Sequence, residues 1–262
     1  MKTGIFTDSH YSSQEITCGK RYNSQSLRKI REALQYFQTE GCELVICLGD
    51  LIDHEGDHEK ETRNLAQIAE VFREFMPKRC DLEDSSENIS NAVSEDVSND
   101  MPEKSVMKIV SMMGNHDAFT FTRDEFYSIL GEEFRPETII KDGKKLMFPD
   151  TCYFSDGRSY SPGDTDWINT FLPGIDTFEK ELQEAPGEVI LFMHQNIDPE
   201  VRADHLLSNA SEVRKALESS GKVKTVYQGH YHPGHTTQAN GIRYVTYPAM
   251  CELEGAWFVV EI

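Results

Sequence analysis

The sequence predicts an α/β fold, and three observations carry that prediction. Short apolar runs rich in β-branched residues alternate with stretches of helical periodicity along the chain. One run, Leu44-Val45-Ile46-Cys47-Leu48, is apolar at every position, as a central strand covered on both faces is. Polar residues with ligand chemistry stand just past the C-terminal ends of the predicted strands, the edge at which open α/β sheets hold their ligands.

Taken in order, Gly4-Ile5-Phe6-Thr7 predicts a first strand that stops at Asp8. Leu27, Ile30, Leu34 and Phe37 recur at helical spacing and predict a helix over 26–37 that packs on a sheet. After the central strand, Leu65, Ile68, Ala69, Phe72 and Phe75 predict a second helix, with Pro77 placed to follow its end. Val106 to Met113 predicts a third strand ending at Gly114. Later strands are predicted at 188–193, 223–228, 242–247 and 257–262, with a helix over 211–217 and a loop feeding a helix at 160–167. Between the second helix and the third strand, residues 81–104 are acidic, rich in Ser and Asn and without periodicity, which predicts a solvated surface insertion in preference to a lid. The whole of 1–262 reads as one domain, with no internal repeat.

A hydrophobic content of 38% and a charged content of 27% fit an ordinary globular protein. No stretch approaches the roughly 18 apolar residues of a membrane span, and the N-terminal segment reads as a strand, not a signal peptide, so a cytoplasmic location without membrane association is expected. The six cysteines show no C-x-x-C spacing and are expected to be reduced and structural. The net charge of −19, from 45 acidic and 26 basic residues, repels a nucleic-acid backbone or an anionic membrane at long range. It opposes a phosphate substrate too, unless bound divalent cations dominate the local field.

Five clusters supply the residues for such cations: Asp8-Ser9-His10, Gly49-Asp50-Leu51-Ile52-Asp53, Gly114-Asn115-His116-Asp117, His194, and Gly229-His230-Tyr231-His232. In the first and last, the polar residues are two apart; on extended backbone they face the same side, about 6.5 Å apart. Each cluster alone has a plain alternative. An aspartate can N-cap the next helix, a single histidine can sit satisfied in a core, and G-N-H-D can be a tight turn with Asn115 left-handed. Their joint occurrence at successive strand ends is what points to a metal centre.

In that order the clusters resemble the signature of the calcineurin-like metallophosphoesterase superfamily, D-x-H, G-D-x-x-D, G-N-H-(E/D), H, G-H-x-H, from Asp8 to His232. The resemblance implies a four-layer αββα sandwich with a di-metal site at the strand ends. It implies that Asp8, His10 and His232 hold one metal, that Asn115, His194 and His230 hold the other, and that Asp50 bridges both. His116 would stand beside the substrate phosphate, with Asp117 orienting and charging it and Asp53 as an outer support.

Imidazole and carboxylate donors suit two divalent transition-metal ions such as Mn, Fe or Zn, where an all-oxygen shell would suit Mg²⁺ or Ca²⁺. With only Asp8 and Asp50 anionic among the seven ligands, the loaded site keeps a positive surplus that attracts a phosphate dianion. The expected activity is hydrolysis of a small-molecule phosphate ester, a phosphodiester or nucleotide-type substrate being favoured, by metal-activated water. The alternatives are a phosphomonoesterase and a non-catalytic scaffold on the same fold. His54, Tyr11, Phe119, Arg123 and Tyr231 lie next to the clusters and are candidates for the pocket wall, while His235 is expected in a loop.

Overall fold

The computed structural model describes residues 1–76 and 107–262. Its first sheet is built from β1 (Lys2–Phe6), β2 (Leu44–Cys47), β3 (Lys108–Ser111) and β10 (Trp257–Glu261), in the spatial order β10-β1-β2-β3. The second holds β4 (Ile139–Lys141), β5 (Lys144–Met147), β6 (Val189–Met193), β7 (Val223–Gln228), β8 (His235–Ala239) and β9 (Ile242–Thr246), in the order β4-β5-β6-β7-β9-β8. Strands β1, β2 and β3 run parallel, as do β5, β6, β7 and β9; β10, β4 and β8 are antiparallel additions at the edges.

The period of two along each strand sorts its side chains between layers. In β2, Leu44 and Ile46 face the second sheet and Val45 and Cys47 face outward. In β6, Ile190 and Phe192 meet the first sheet, while Val189, Leu191 and Met193 face out. Helices close both outer faces. Ile30, Leu34 and Phe37 of α1 (Ser26–Thr39) and Leu65, Ile68 and Phe72 of α2 (His58–Glu74) pack on the first sheet. Phe178 and Leu182 of α5 (Ile175–Gln183) and Val213 and Leu217 of α6 (Ala210–Ser220) pack on the second. Three apolar cores separate four layers, the αββα sandwich that the resemblance implies.

The contact between α1 and β1 is close because residue 4 is glycine: a Cβ there would lie 2.5 Å from the Phe37 ring. Helix α2 starts where the Asp57 carboxylate accepts the Lys60 N–H, so neither Asp50 nor Asp53 is its cap. Two short helices absent from the sequence reading, α3 (Asn115–Thr120) and α4 (Arg123–Leu130), follow β3. Asn115 is therefore helical, and the left-handed turn weighed for G-N-H-D is not formed.

Strands β4, β5 and β8 were also not predicted, and His235 opens β8 instead of lying in a loop. These strands lie towards the outside of their sheet and lack an apolar run; Ile140 of β4 is 63% exposed. Pro77, Cys80, Val106 and the insertion expected at 81–104 lie outside the described residues. The other five cysteines are free, four of them buried. Among the described residues, no helix is long and apolar enough to cross a membrane.

Candidate metal centre

The C-terminal ends of β1, β2 and β3 and those of β6, β7 and β9 share one edge of the sandwich, and their exit loops are tied together there. The Asp8 N–H donates to Gly49 O at 3.1 Å, that of His10 to Asp50 O at 3.0 Å and that of Gly229 to His194 O at 3.0 Å. Across the sheets, the His230 N–H donates to Asp8 Oδ2 at 3.0 Å, and the N–H groups of Met250 and Cys251, after β9, donate to Thr7 O and Asp8 O.

Four of the exit-loop residues are non-glycine residues in the left-handed region: Asp8 (φ 53°), His10 (42°), Asp50 (52°) and His230 (65°). Such backbone costs on the order of 1–3 kcal/mol each and persists only where surrounding structure enforces it. Two glycines let the loops approach. A Cβ on Gly114 would collide with the Asp50 carboxylate, and one on Gly229 would collide with Thr7 Oγ1 and lie 2.8 Å from Asp8 Oδ2.

All seven residues expected from the sequence converge. His10 Nε2 lies 3.1 Å from His232 Nε2, 3.7 Å from Asp8 Oδ1 and 3.5 Å from Asp50 Oδ2. His232 Nε2 is 3.4 Å from Asp8 Oδ1. In the adjoining group, His194 Nε2 is 3.2 Å from both Asp50 Oδ2 and Asn115 Oδ1, and the donor atoms of Asp50, His194 and His230 lie within 4.8 Å of one another. Asp50 Oδ2 thus belongs to both groups.

The arrangement fits cations. Asp8 Oδ1 is buried without a hydrogen-bond partner, a costly state for a carboxylate oxygen unless a cation meets it. Two imidazoles face each other through Nε2 instead of pairing with donors. Behind them, His232 Nδ1 meets the Glu252 carboxylate and His10 Nδ1 lies 3.4 Å from Asp53 Oδ1 without a hydrogen bond, while in the adjoining group His194 Nδ1 donates to Leu48 O at 3.0 Å. Such outer partners fix the tautomer that leaves Nε2 bare for a metal. Cys251 is buried beside His10 and His232, its sulfur within 4.8 Å of their ring nitrogens, so its place is the site's wall and not an apolar core.

Charge in the cluster is mutually supported. Burial alone would raise the Asp8 and Asp50 carboxyls and lower the His10 and His194 imidazoles, but each sign is reversed by the opposite charges nearby. Asp8 lies well below the usual carboxylate range through His10 and His232, and Asp50 through His194 and His116. His10 is pushed up to about 9 by Asp53 and Asp8, and His194 to about 9 by Asp50. His230 goes the other way, held well below its ordinary value by burial and by His194. A neutral His230 is a ready ligand.

The expectation that Asp117 orients and charges His116 is corrected. The Asp117 carboxylate accepts the N–H groups of Gly114 (2.9 Å), Ile52 (3.1 Å) and Leu51 (3.3 Å), pinning the loop that carries Asp50. Burial and Asp50 push its carboxyl up to about 7. The carboxylate beside His116 is Asp53, with Oδ1 3.0 Å from Nδ1. Burial lowers the His116 imidazole despite the opposing pull of Asp50, which does not match a ring held cationic.

Asp53 is itself fixed by Thr17 Oγ1 (3.0 Å), Asn23 Nδ2 (3.0 Å) and Arg21 (3.2 Å). Burial would raise it, yet His10 and His116 hold it far below the ordinary carboxylate range. Arg21, Asn23 and Glu252 escaped the sequence reading because no spacing ties them to a ligand cluster.

A cavity of about 290 Å³ opens over the cluster, with Asp50, Asn115, His116, His230 and His232 in its wall. Of the neighbouring candidates, Tyr231 lines it. Arg123 is turned to Asp150 and Cys152 O, Tyr11 donates to Gln67, His54 lies against Thr120 and Glu61, and Phe119 packs behind His116.

The sandwich and its donor cluster at the shared sheet edge have the form that the sequence resemblance implies, and comparison with known proteins supplies the family. The model described as calcineurin-like phosphoesterase matches residues 1–234, and the chain belongs to that family. A search of curated protein sequences finds no match. Among solved structures, a dimetal phosphatase from Danio rerio aligns with a TM-score of 0.71 at 17% identity, over 96% of this chain and 88% of that one. A phosphopantetheinyl hydrolase from Mycobacterium tuberculosis aligns at 0.51 and 10% identity, over 99% and 95%. The Plasmodium protein GAP50, described as the anchor in the inner membrane complex, aligns at 0.51 and 11%, over 94% and 70%. At these identities the likenesses show the fold alone, and the function of this chain must be argued from its site.

Proposed function

We propose that the protein hydrolyses a small-molecule phosphate ester, a phosphodiester or nucleotide-type substrate being favoured, with two divalent transition-metal ions (Mn, Fe or Zn) as cofactors. The observation that carries this reading is the Asp50 carboxylate, one oxygen of which lies within 3.5 Å of His10 Nε2 and 3.2 Å of His194 Nε2, at the seam of two imidazole clusters. Asp8, His10 and His232 would hold one ion, Asn115, His194 and His230 the other, and Asp50 both. Bound there, the ions would polarise the phosphoryl oxygens and acidify water for attack at phosphorus.

His116 is the proton carrier. With Nδ1 against Asp53, Nε2 is the ring atom left to face the substrate. Neutral at rest, the ring would take up a proton from solvent under the charge of the bound phosphate and pass it to the leaving oxygen, a role typically worth about 10²–10⁴ in rate. Asp117 acts by holding the Asp50 loop. Free buried thiols support a reducing, cytoplasmic setting, and the net charge of −19 argues against nucleic-acid and membrane partners.

The test uses metal-stripped protein with and without Mn²⁺, on bis-p-nitrophenyl phosphate and p-nitrophenyl phosphate, beside His116→Ala and Asp50→Asn. The expected result is metal-dependent turnover, faster on the diester, with both variants reduced by about 10² or more. A protein that takes up no transition metal would instead be a scaffold on this fold.

A further inference from the structure

Trp167, His205 and Tyr231 also line the cavity, beside His230. Their ring centroids are linked in a chain: Trp167 lies 5.1 Å from His205 and 5.9 Å from His230, and His205 lies 5.6 Å from His230 and 5.1 Å from Tyr231. All four contacts are tilted or edge-on, with interplanar angles of 56°, 57°, 63° and 85°. In the core between the sheets, by contrast, Tyr227 stacks on Tyr247 at 4° and Phe148 on Phe192 at 16°. Buried pairs elsewhere are edge-on as well, Phe6 with Phe72 at 80° and Phe126 with Tyr127 at 89°. The shelf is therefore marked by its place in the cavity wall, where Trp167, His205 and Tyr231 are half-buried with ring surface open to a further flat ring.

The charges around the shelf decide what that ring belongs to. Lys20, Arg21 and Arg202 line the same cavity but are each paired with a carboxylate, Glu252, Asp53 and Asp204 respectively, so the positive surplus is that of the metal cluster when loaded. Aromatic rings alone would suit a quaternary ammonium group by cation–π attraction, but the positive field of the loaded metal cluster repels one. It favours a ligand that is anionic at one end and a neutral π-system at the other. A cavity of about 290 Å³ holds one such small molecule. Resting on the phosphoesterase reading, we propose that Trp167, His205 and Tyr231 form a nucleobase subsite, so that the substrate is a nucleoside phosphate ester whose base stacks on the shelf while its phosphate meets the metal cluster.

Trp167 is one of only two tryptophans in the chain; the other is Trp257 of β10. Its fluorescence therefore reads the shelf directly, without turnover. The experiment titrates Mn²⁺-loaded protein with AMP, ribose 5-phosphate, phosphocholine and inorganic phosphate, following fluorescence and calorimetry, for the native chain, Trp167→Phe and Trp167→Ala.

AMP is expected to quench the native protein and to bind about tenfold more tightly than ribose 5-phosphate, the ratio that roughly 1.4 kcal/mol of stacking gives. Trp167→Phe should keep most of that preference and Trp167→Ala should abolish it. Equal affinity of the native protein for AMP and ribose 5-phosphate overturns the subsite, as does tighter binding of phosphocholine than of AMP. A Trp167→Ala variant that weakens all four ligands alike also overturns it, since Trp167 would then only buttress His230. Metal-loaded protein that binds no phosphate at all overturns the phosphoesterase reading itself, which separates the two failures.

Discussion

His232 offers one ring nitrogen to Asp8 and His10 while the other meets Glu252, which is held in turn by Lys20 at 3.0 Å. Losing the carboxylate behind a metal-binding imidazole typically costs about 10–100-fold in metal affinity. Glu252→Gln is expected to weaken uptake of one ion by that factor in a metal titration; unchanged uptake would show that Glu252 serves only Lys20. A second buried carboxylate, Glu61, accepts the N–H groups of Glu55 (2.7 Å) and Asp57 (3.1 Å) and pairs with His54 and Thr120. Burial would raise its pKa, but these partners lower it from 4.5 to about 2. Its contribution is thus complete above pH 4.5 and disappears as the pH falls towards 2. Glu61→Gln should lose about 2 kcal/mol at pH 7 in denaturant unfolding, with the gap closing in acid; a gap independent of pH would refute the assignment. The ligand set itself was legible because each member sits within a few residues of a strand end. The partner of His116 was not. Asp117 follows it in sequence, but successive residues on a helix point about 100° apart and do not face each other, so Asp53, beyond the end of the neighbouring strand β2, takes the place.

The exit loops depend on glycines that serve no purpose of their own. Gly229→Ala would drive a methyl group into Thr7 and the Asp8 carboxylate, and a loss of metal binding of more than about tenfold is expected with the sandwich intact. Full metal content in that variant would mean the β7 exit gives way freely. By contrast, Asp57→Ala removes only the cap of α2 and should cost about 1 kcal/mol of stability with metal content unchanged. Elements with a full apolar stripe, such as α1, or an unbroken apolar run, such as β2, were legible in the sequence. Strand β8, His-Thr-Thr-Gln-Ala, was not, because an edge strand needs partners on one side only and can remain polar. Helices α3 and α4 escaped for a related reason: each is too short, at 6 and 8 residues, to establish a period against its surroundings.

Across the whole molecule, the donors come from both sheets: Asp8, His10, Asp50 and Asn115 follow strands of the first, and His194, His230 and His232 follow strands of the second. Ions bound between them would tie the halves of the sandwich. Each ion held at about 100 times its dissociation constant stabilises the fold by about 2.7 kcal/mol, so chelation should lower the melting temperature, and Asp50→Asn should remove most of that difference. A melting temperature indifferent to chelator would mean that the folded chain holds no ion in preference to the unfolded one. The unbroken apolar runs of β2 and β6 made buried strands readable, but the neighbour of β1 on its far side was beyond local sequence, because β10 pairs with it across more than 250 residues. That pairing has a consequence for synthesis. At about 5–20 residues per second, β1 leaves the ribosome roughly 250 residues before β10 and spends tens of seconds with one row of backbone amides and carbonyls unclaimed. A chain stopped after residue 256 would keep β8 and β9, carry every metal donor and still leave the Lys2–Phe6 edge bare. Such a chain is expected to accumulate as aggregate where the longer one is recovered in solution, and the last strand thereby acts as the check on whether a newly made copy survives.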